Sequence, residues 1–108
     1  MIVTVAPIDM DALGRVGKAL SDETRRRILV ALLDGPSFSG ALADDLDLTK
    51  ANVSNHLTCL RGCRLVTATP DGRRVRYELA DPRLAHALRD LTELALEPAD
   101  PSCAAPER

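Results

Sequence analysis

The sequence predicts a small α+β domain, mostly α, in which five helices carry a single β-hairpin. Three observations lead there. Apolar residues recur at helical spacing over five separate stretches. After Arg64 the period changes to two short β-prone runs flanking Pro70-Asp71-Gly72-Arg73, which is turn chemistry. Between Ser39 and Arg64 a short helix, a tight turn and a second helix with a polar outer face follow one another. A helix pair of this kind followed by a hairpin is a winged helix-turn-helix.

In chain order, Asp9 to Leu20 reads as a first helix with Leu13, Val16 and Leu20 on one face. Gly14 and Gly17 each weaken it by up to about 1 kcal/mol relative to Ala, so it needs a partner surface, which a dimer interface would supply. Ser21 or Asp22 caps a second helix, Glu23 to Leu33, with Ile28, Leu29, Leu32 and Leu33 inward and Asp34-Gly35-Pro36 ending it. Its arginines Arg25 to Arg27 read either as phosphate contacts or as a solvated first turn. Ser39 opens a third helix through Leu46, and Asp47-Leu48-Thr49 turns into a fourth. There Thr49 is the N-cap, and Val53, Leu57 and Leu60 make one buried stripe. Ala51, Ser54, Asn55 and Thr58 form a thin polar outer face. Leu65–Thr69 and Val75–Leu79 are the two strands of the wing. Asp81-Pro82 opens a last helix whose Leu84, Leu88, Leu91 and Ala95 recur at dimer-seam spacing. Residues 1–96 are expected to form the DNA-binding and dimerisation domain, and 97–108 a flexible Pro-rich tail carrying Cys103.

Composition narrows the function. With one Tyr, one Phe and no Trp among 108 residues, Leu, Val and Ala must fill the interior, and dimerisation would add the missing burial. The net charge of −2 argues weakly against nucleic acid, but from Lys50 to Arg76 six bases face one acid, Asp71, a local +5. Local charge decides, because fields between exposed charges fade within about 10 Å at 0.1 M salt. No stretch has the length of a signal-peptide core or a membrane span, so a cytoplasmic protein without a membrane partner is expected. No nucleophile triad, phosphate loop or carboxylate pair stands out, so no enzyme activity is expected.

Two constellations remain. A helix with a thin hydrogen-bonding face fits a DNA major groove, and a basic hairpin tip straddles the backbone. The DNA-contact candidates are Thr49, Lys50, Ala51, Ser54, Asn55 and Thr58 on the helix and Arg73, Arg74 and Arg76 on the wing. The second is the thiols. Measured from Val53 as the core direction, Cys59 lies about 120° and Cys63 about 80° round the same flank. Their Cβ atoms should be about 5–6 Å apart, close enough for two thiolates to reach one ion. Packing as small hydrophobes is the alternative for this pair. Cys103, in a tail with no core to fill, favours metal, and three thiolates suit a large soft ion. His56 lies near the same flank as a further donor or a plain polar residue; His86 reads as surface.

These residues resemble the ArsR/SmtB family of metal-responsive repressors over nearly the whole chain. The resemblance rests on Ala19-Leu20-Ser21-Asp22-Glu23-Thr24-Arg25-Arg26-Arg27-Ile28-Leu29, Asn52-Val53-Ser54-Asn55-His56-Leu57, and Leu65-Val66 leading to Gly72-Arg73-Arg74-Val75-Arg76-Tyr77. It implies a dimer built on the first and last helices. Leu42 and Asp44 stand where some members carry a Cys-x-Cys, and the family's paired ligands on the last helix are absent. Cys59-Leu60-Arg61-Gly62-Cys63 with Cys103 is similar instead to the cadmium- and lead-sensing branch. That likeness implies Cys59, Cys63 and Cys103 as ligands of Cd(II) or Pb(II), with Zn(II) also open, and release of operator DNA on binding. Arg64 stands where the family usually has a helix-ending Gly, which would either strain a left-handed cap or lengthen the helix. A thiol/disulfide redox repressor and a constitutive DNA-binding dimer are the alternatives.

Overall fold

The computed structural model describes residues 8–94, together with 99 and 102. The elements are α1 (Met10–Leu20), α2 (Glu23–Ala31), a 3₁₀ turn (Leu32–Asp34), β1 (Ser37–Phe38) and α3 (Ser39–Leu46), followed by α4 (Lys50–Gly62), β2 (Val66–Asp71), β3 (Arg74–Leu79) and α5 (Pro82–Glu93). Four helices start on a side-chain cap. Asp9 accepts from the Ala12 amide at 2.9 Å, Asp22 from Arg25 at 2.9 Å, Thr49 from Asn52 at 3.1 Å and Asp81 from Arg83 at 2.8 Å. Each such cap typically contributes about 1 kcal/mol.

The expected winged helix-turn-helix is present, with three differences of detail. The second helix stops at Ala31 and tightens into the 3₁₀ turn instead of continuing to Leu33. The hairpin is longer and its turn shorter than expected, since Pro70 pairs with Val75 and Asp71 with Arg74. Pro70 is tolerated because β2 is an edge strand in the order β1-β3-β2. Gly72 takes the reversal at φ 62°. The third difference is β1 itself, which pairs antiparallel with β3 (Ser37 with Tyr77, Phe38 with Arg76) and ties the wing to the start of α3.

Ile28 and Leu29 of α2, Leu42 of α3 and Val53, Leu57 and Leu60 of α4 form the centre of the core, closed by Leu65, Val66 and Leu88. The α4 stripe is thus buried as its spacing requires. The outer faces of α1 and α5 are not covered: Leu13 is 61% exposed and Leu91 52%, and Met10, Val30 and Leu94 are exposed as well. An apolar cleft of about 180 Å³ opens between Leu20, Leu29, Val30, Leu88 and Leu91 on this side.

The helix C-termini are held in two ways. Arg25 donates to the carbonyls of Lys18 (3.0 Å) and Ala19 (3.4 Å), and Arg26 to that of Leu20 (2.6 Å), which are the last three carbonyls of α1. Arg27 reaches the Leu46 carbonyl that ends α3 (2.5 Å), and Arg89 of α5 the Leu33 carbonyl beyond α2 (2.7 Å). Each guanidinium of the triplet Arg25–Arg27 thus donates to the negative end of a helix, a contact worth about 0.3–1 kcal/mol, while Arg27 itself stays exposed. The two helices of the helix-turn-helix end differently. Asp47 (φ 56°) and Arg64 (φ 62°) adopt the left-handed conformation. Behind them Leu48 N–H bonds Ala43 O (2.8 Å) and Leu65 N–H bonds Leu60 O (3.0 Å), the closing bonds of Schellman caps.

Candidate functional site

The outer face of α4 is built by what its inner face buries. With Val53, Leu57 and Leu60 fixed in the core, Ala51, Ser54, Asn55 and Thr58 must stand outward, and all four are exposed, as are Thr49 and Lys50. Thr58 returns its hydroxyl to the Ser54 carbonyl at 2.9 Å, which leaves Ser54 and Asn55 as the side chains free to project.

Beside this face, Arg73 and Arg74 are exposed at the tip of the wing. The Arg74 guanidinium stacks over the Phe38 ring, 3.8 Å from its centroid. Such a contact contributes about 0.5–1 kcal/mol at an exposed site and fixes the side chain's direction. Lys50 lies across the first turn of α3, its Cε 3.5 Å from where a Cβ on Gly40 would be. Lys50, Arg73 and Arg74 thereby line one cleft of about 320 Å³ between the wing and α3. Arg76 stands apart from them: it is half-buried opposite Thr69, and its Nε is shut off from solvent without a hydrogen-bond partner. Phe38 escaped the sequence reading because a single aromatic ahead of a helix has no periodicity; its only signal was its rarity in this chain.

Cys59 and Cys63 are free thiols, both half-buried, one helical turn apart on α4. The Cys63 amide donates to the Cys59 carbonyl at 3.0 Å, so the two residues stand in register on the last turn. Cys63 also packs against the core, as a small hydrophobe would, whereas Cys59 does not. Cys103 and the rest of the expected tail lie outside the described residues, apart from 99 and 102. His56 is half-buried, and close enough to Asp22 to act on it electrostatically. The Asp22 carboxyl lies below the usual carboxylate range, first because it accepts the Arg25 amide and in smaller part because of His56. His86 is exposed. Arg64 settles its own question: it occupies the left-handed cap and the helix stops before it.

The sequence profile of the bacterial regulatory protein arsR family matches residues 22–68, from the cap of α2 into β2. Over 85 residues the chain is 62% identical to the HTH-type transcriptional regulator CmtR of Mycobacterium tuberculosis, covering 79% of this chain and 72% of that protein. The chain belongs to the arsR family. This arsR-family chain is a winged helix-turn-helix transcriptional regulator. It is also 38% identical over 85 residues to a probable mercury resistance operon repressor of Streptomyces lividans, covering 79% of this chain and 65% of the relative. Its fold matches the NMR structure of the cadmium metal-sensor CMTR from Mycobacterium tuberculosis, with TM-score 0.68, 58% identity and coverage of 88% of this chain and 99% of that one. A homodimeric winged helix-turn-helix DNA-binding domain from Mycobacterium bovis, 28% identical, matches with TM-score 0.73 over 82% of this chain and 87% of that one. Like other arsR-family chains it is a regulator by descent, and no helix among its described residues is long and apolar enough to cross a membrane.

Proposed function

We propose that the chain is a homodimeric repressor that holds operator DNA in the metal-free state and releases it when Cd(II) or Pb(II) is bound by Cys59, Cys63 and Cys103. The observation that carries this reading is the pair of free, half-buried thiols one turn apart on the same helix that presents Ser54 and Asn55 outward. The donor set fits a soft ion: two sulfurs on one flank, with a third available from residues 97–108. Similarity to a cadmium sensor supports the choice of ion, and Zn(II) is a third candidate.

In this reading α4 enters the major groove with Ser54, Asn55 and Thr58 towards base edges, while Thr49, Lys50 and Ala51 at its start and Arg73, Arg74 and Arg76 on the wing follow the backbone. Two subunits join through the uncovered apolar faces of α1 and α5, which sets the distance between two reading helices. Cys103 closes from the tail onto Cys59 and Cys63 and fixes the tail against α4, moving the helix pair away from groove spacing. A bound dication supplies the attraction that gathers the three thiolates. The set then carries about −1 in place of neutral thiols, a small term beside the change in geometry. By linkage, DNA weakens metal binding by the same factor that metal weakens DNA binding.

The test is ultraviolet absorption during anaerobic Cd(II) titration of the reduced protein. An intense thiolate-to-metal band should saturate at one ion per subunit and vanish in Cys59→Ser. Cys103→Ser should bind operator normally without metal and release it poorly with metal. Loss of metal-free DNA binding in that variant would make the tail structural and end the mechanism; absence of the band, with DNA binding retained, would end the metal reading.

A further inference from the structure

We propose that Arg27 is a positioning residue for DNA recognition: by holding the Leu46 carbonyl it sets the helix-turn-helix at groove spacing without touching DNA. The inference rests on the operator-binding reading above. It starts from what holds the C-terminal end of α3: Leu46 and Leu48 pack partly buried against the core, the Leu48 amide closes the last turn on the Ala43 carbonyl, and Arg27 adds a side-chain bond from α2. The helix has eight residues, and only Leu42 and Ala43 are buried. Its N-terminal end is tied through Phe38 to the wing. At its other end the chain leaves through Asp47 in the left-handed conformation and reaches the Thr49 cap of α4 three residues after Leu46.

Into that junction Arg27 brings a guanidinium from the first turns of α2, donating to Leu46 O at 2.5 Å across 19 residues of sequence. The Leu46 carbonyl is one of the end groups that α3 cannot satisfy itself. The arginine fork meets it with a charged donor, so the bond is directional as well as attractive. Its neighbours Arg25 and Arg26 make the same kind of bond to α1 instead. The triplet thus anchors two helices to one, and only Arg27 acts on the pair that reads DNA. A shift at Leu46 passes through a three-residue turn directly to Ala51, Ser54 and Asn55. Two such helices must match two half-sites about 34–36 Å apart, so a small tilt removes base contacts before it removes phosphate contacts.

The test uses the full chain and two duplexes of equal length, one selected by the wild-type protein from a random pool and one scrambled. Affinities are read by fluorescence anisotropy over a series of KCl concentrations, well below each variant's melting midpoint. Arg27→Gln should weaken the selected duplex about tenfold, as for one misplaced base contact. It should leave the scrambled duplex within about twofold and keep its salt slope, because no phosphate contact is lost. Arg25→Gln, which removes ties of the same kind from α1, should keep the selected-to-scrambled ratio. Equal weakening of both duplexes with a salt slope flatter by about 0.9 would make Arg27 a phosphate contact and overturn the proposal. An unchanged ratio in Arg27→Gln, or the same loss in both variants, would overturn it as well. A wild-type protein that selects no duplex would fail the operator reading itself, a result distinct from any behaviour of Arg27.

Discussion

Arg64 shows how far one residue's conformation constrains the candidate site. It takes φ 62° although it is not glycine, one residue after the thiol of Cys63. A side chain there costs about 1–2 kcal/mol of strain, of which glycine would return part through its greater freedom in the unfolded chain. Arg64→Gly should therefore stabilise the metal-free protein by about 0.5–1 kcal/mol in urea unfolding, with an unchanged m-value. A destabilised variant would mean that the Arg64 side chain makes a contact stronger than the strain. The thiol pair was legible from the sequence because two cysteines at i and i+4 on a patterned helix have only one relative placement. The role of Arg25–Arg27 was not. Their acceptors are fixed by the packing angle of α2 against α1 and α3, and Leu46 lies 19 residues away, beyond any local pattern.

At the level of elements, the operator complex proposed above would have α4 read the bases and the wing anchor the backbone. Asn55→Ala should cost about 1–3 kcal/mol on a selected duplex and almost nothing on a scrambled one. Arg73→Gln should weaken both about equally and flatten the salt slope by about 0.9, as expected for the loss of one phosphate contact. Equal effects of the two variants on both duplexes would undo this division. The helix-turn-helix boundaries were readable from periodicity and turn chemistry: α3 runs from Ser39 to Leu46, and Thr49 caps α4 as expected. The sheet was less readable. β1 has two residues, too few for an alternation, and exists only because β3 offers it an edge. Pro70 reads as a turn residue yet pairs in the ladder, since an edge strand does not need its missing N–H.

For the whole molecule, the dimer proposed above would close over the uncovered faces of α1 and α5. Leu13→Glu should shift the protein from dimer to monomer in analytical ultracentrifugation, and operator affinity should fall by several orders of magnitude as the second half-site is lost. A dimer that survives the charge would place the interface elsewhere. The pattern of caps has a consequence for this assembly in acid. Asp22 and Asp81 both have carboxyls held below the usual range, Asp22 first by the Arg25 amide and Asp81 first by the Arg83 side chain. A carboxyl lowered by folding stabilises the fold above its unfolded value near about 3.9 and stops doing so as pH falls through its folded value. α2 and α5 thus start on groups that acid switches off. α4 starts on Thr49, which does not titrate, and ends on backbone bonds. Below about pH 4, sedimentation should report separated subunits while the amides of α4 still resist hydrogen exchange. Acid would then part the two copies before it unwinds the helix each copy reads with.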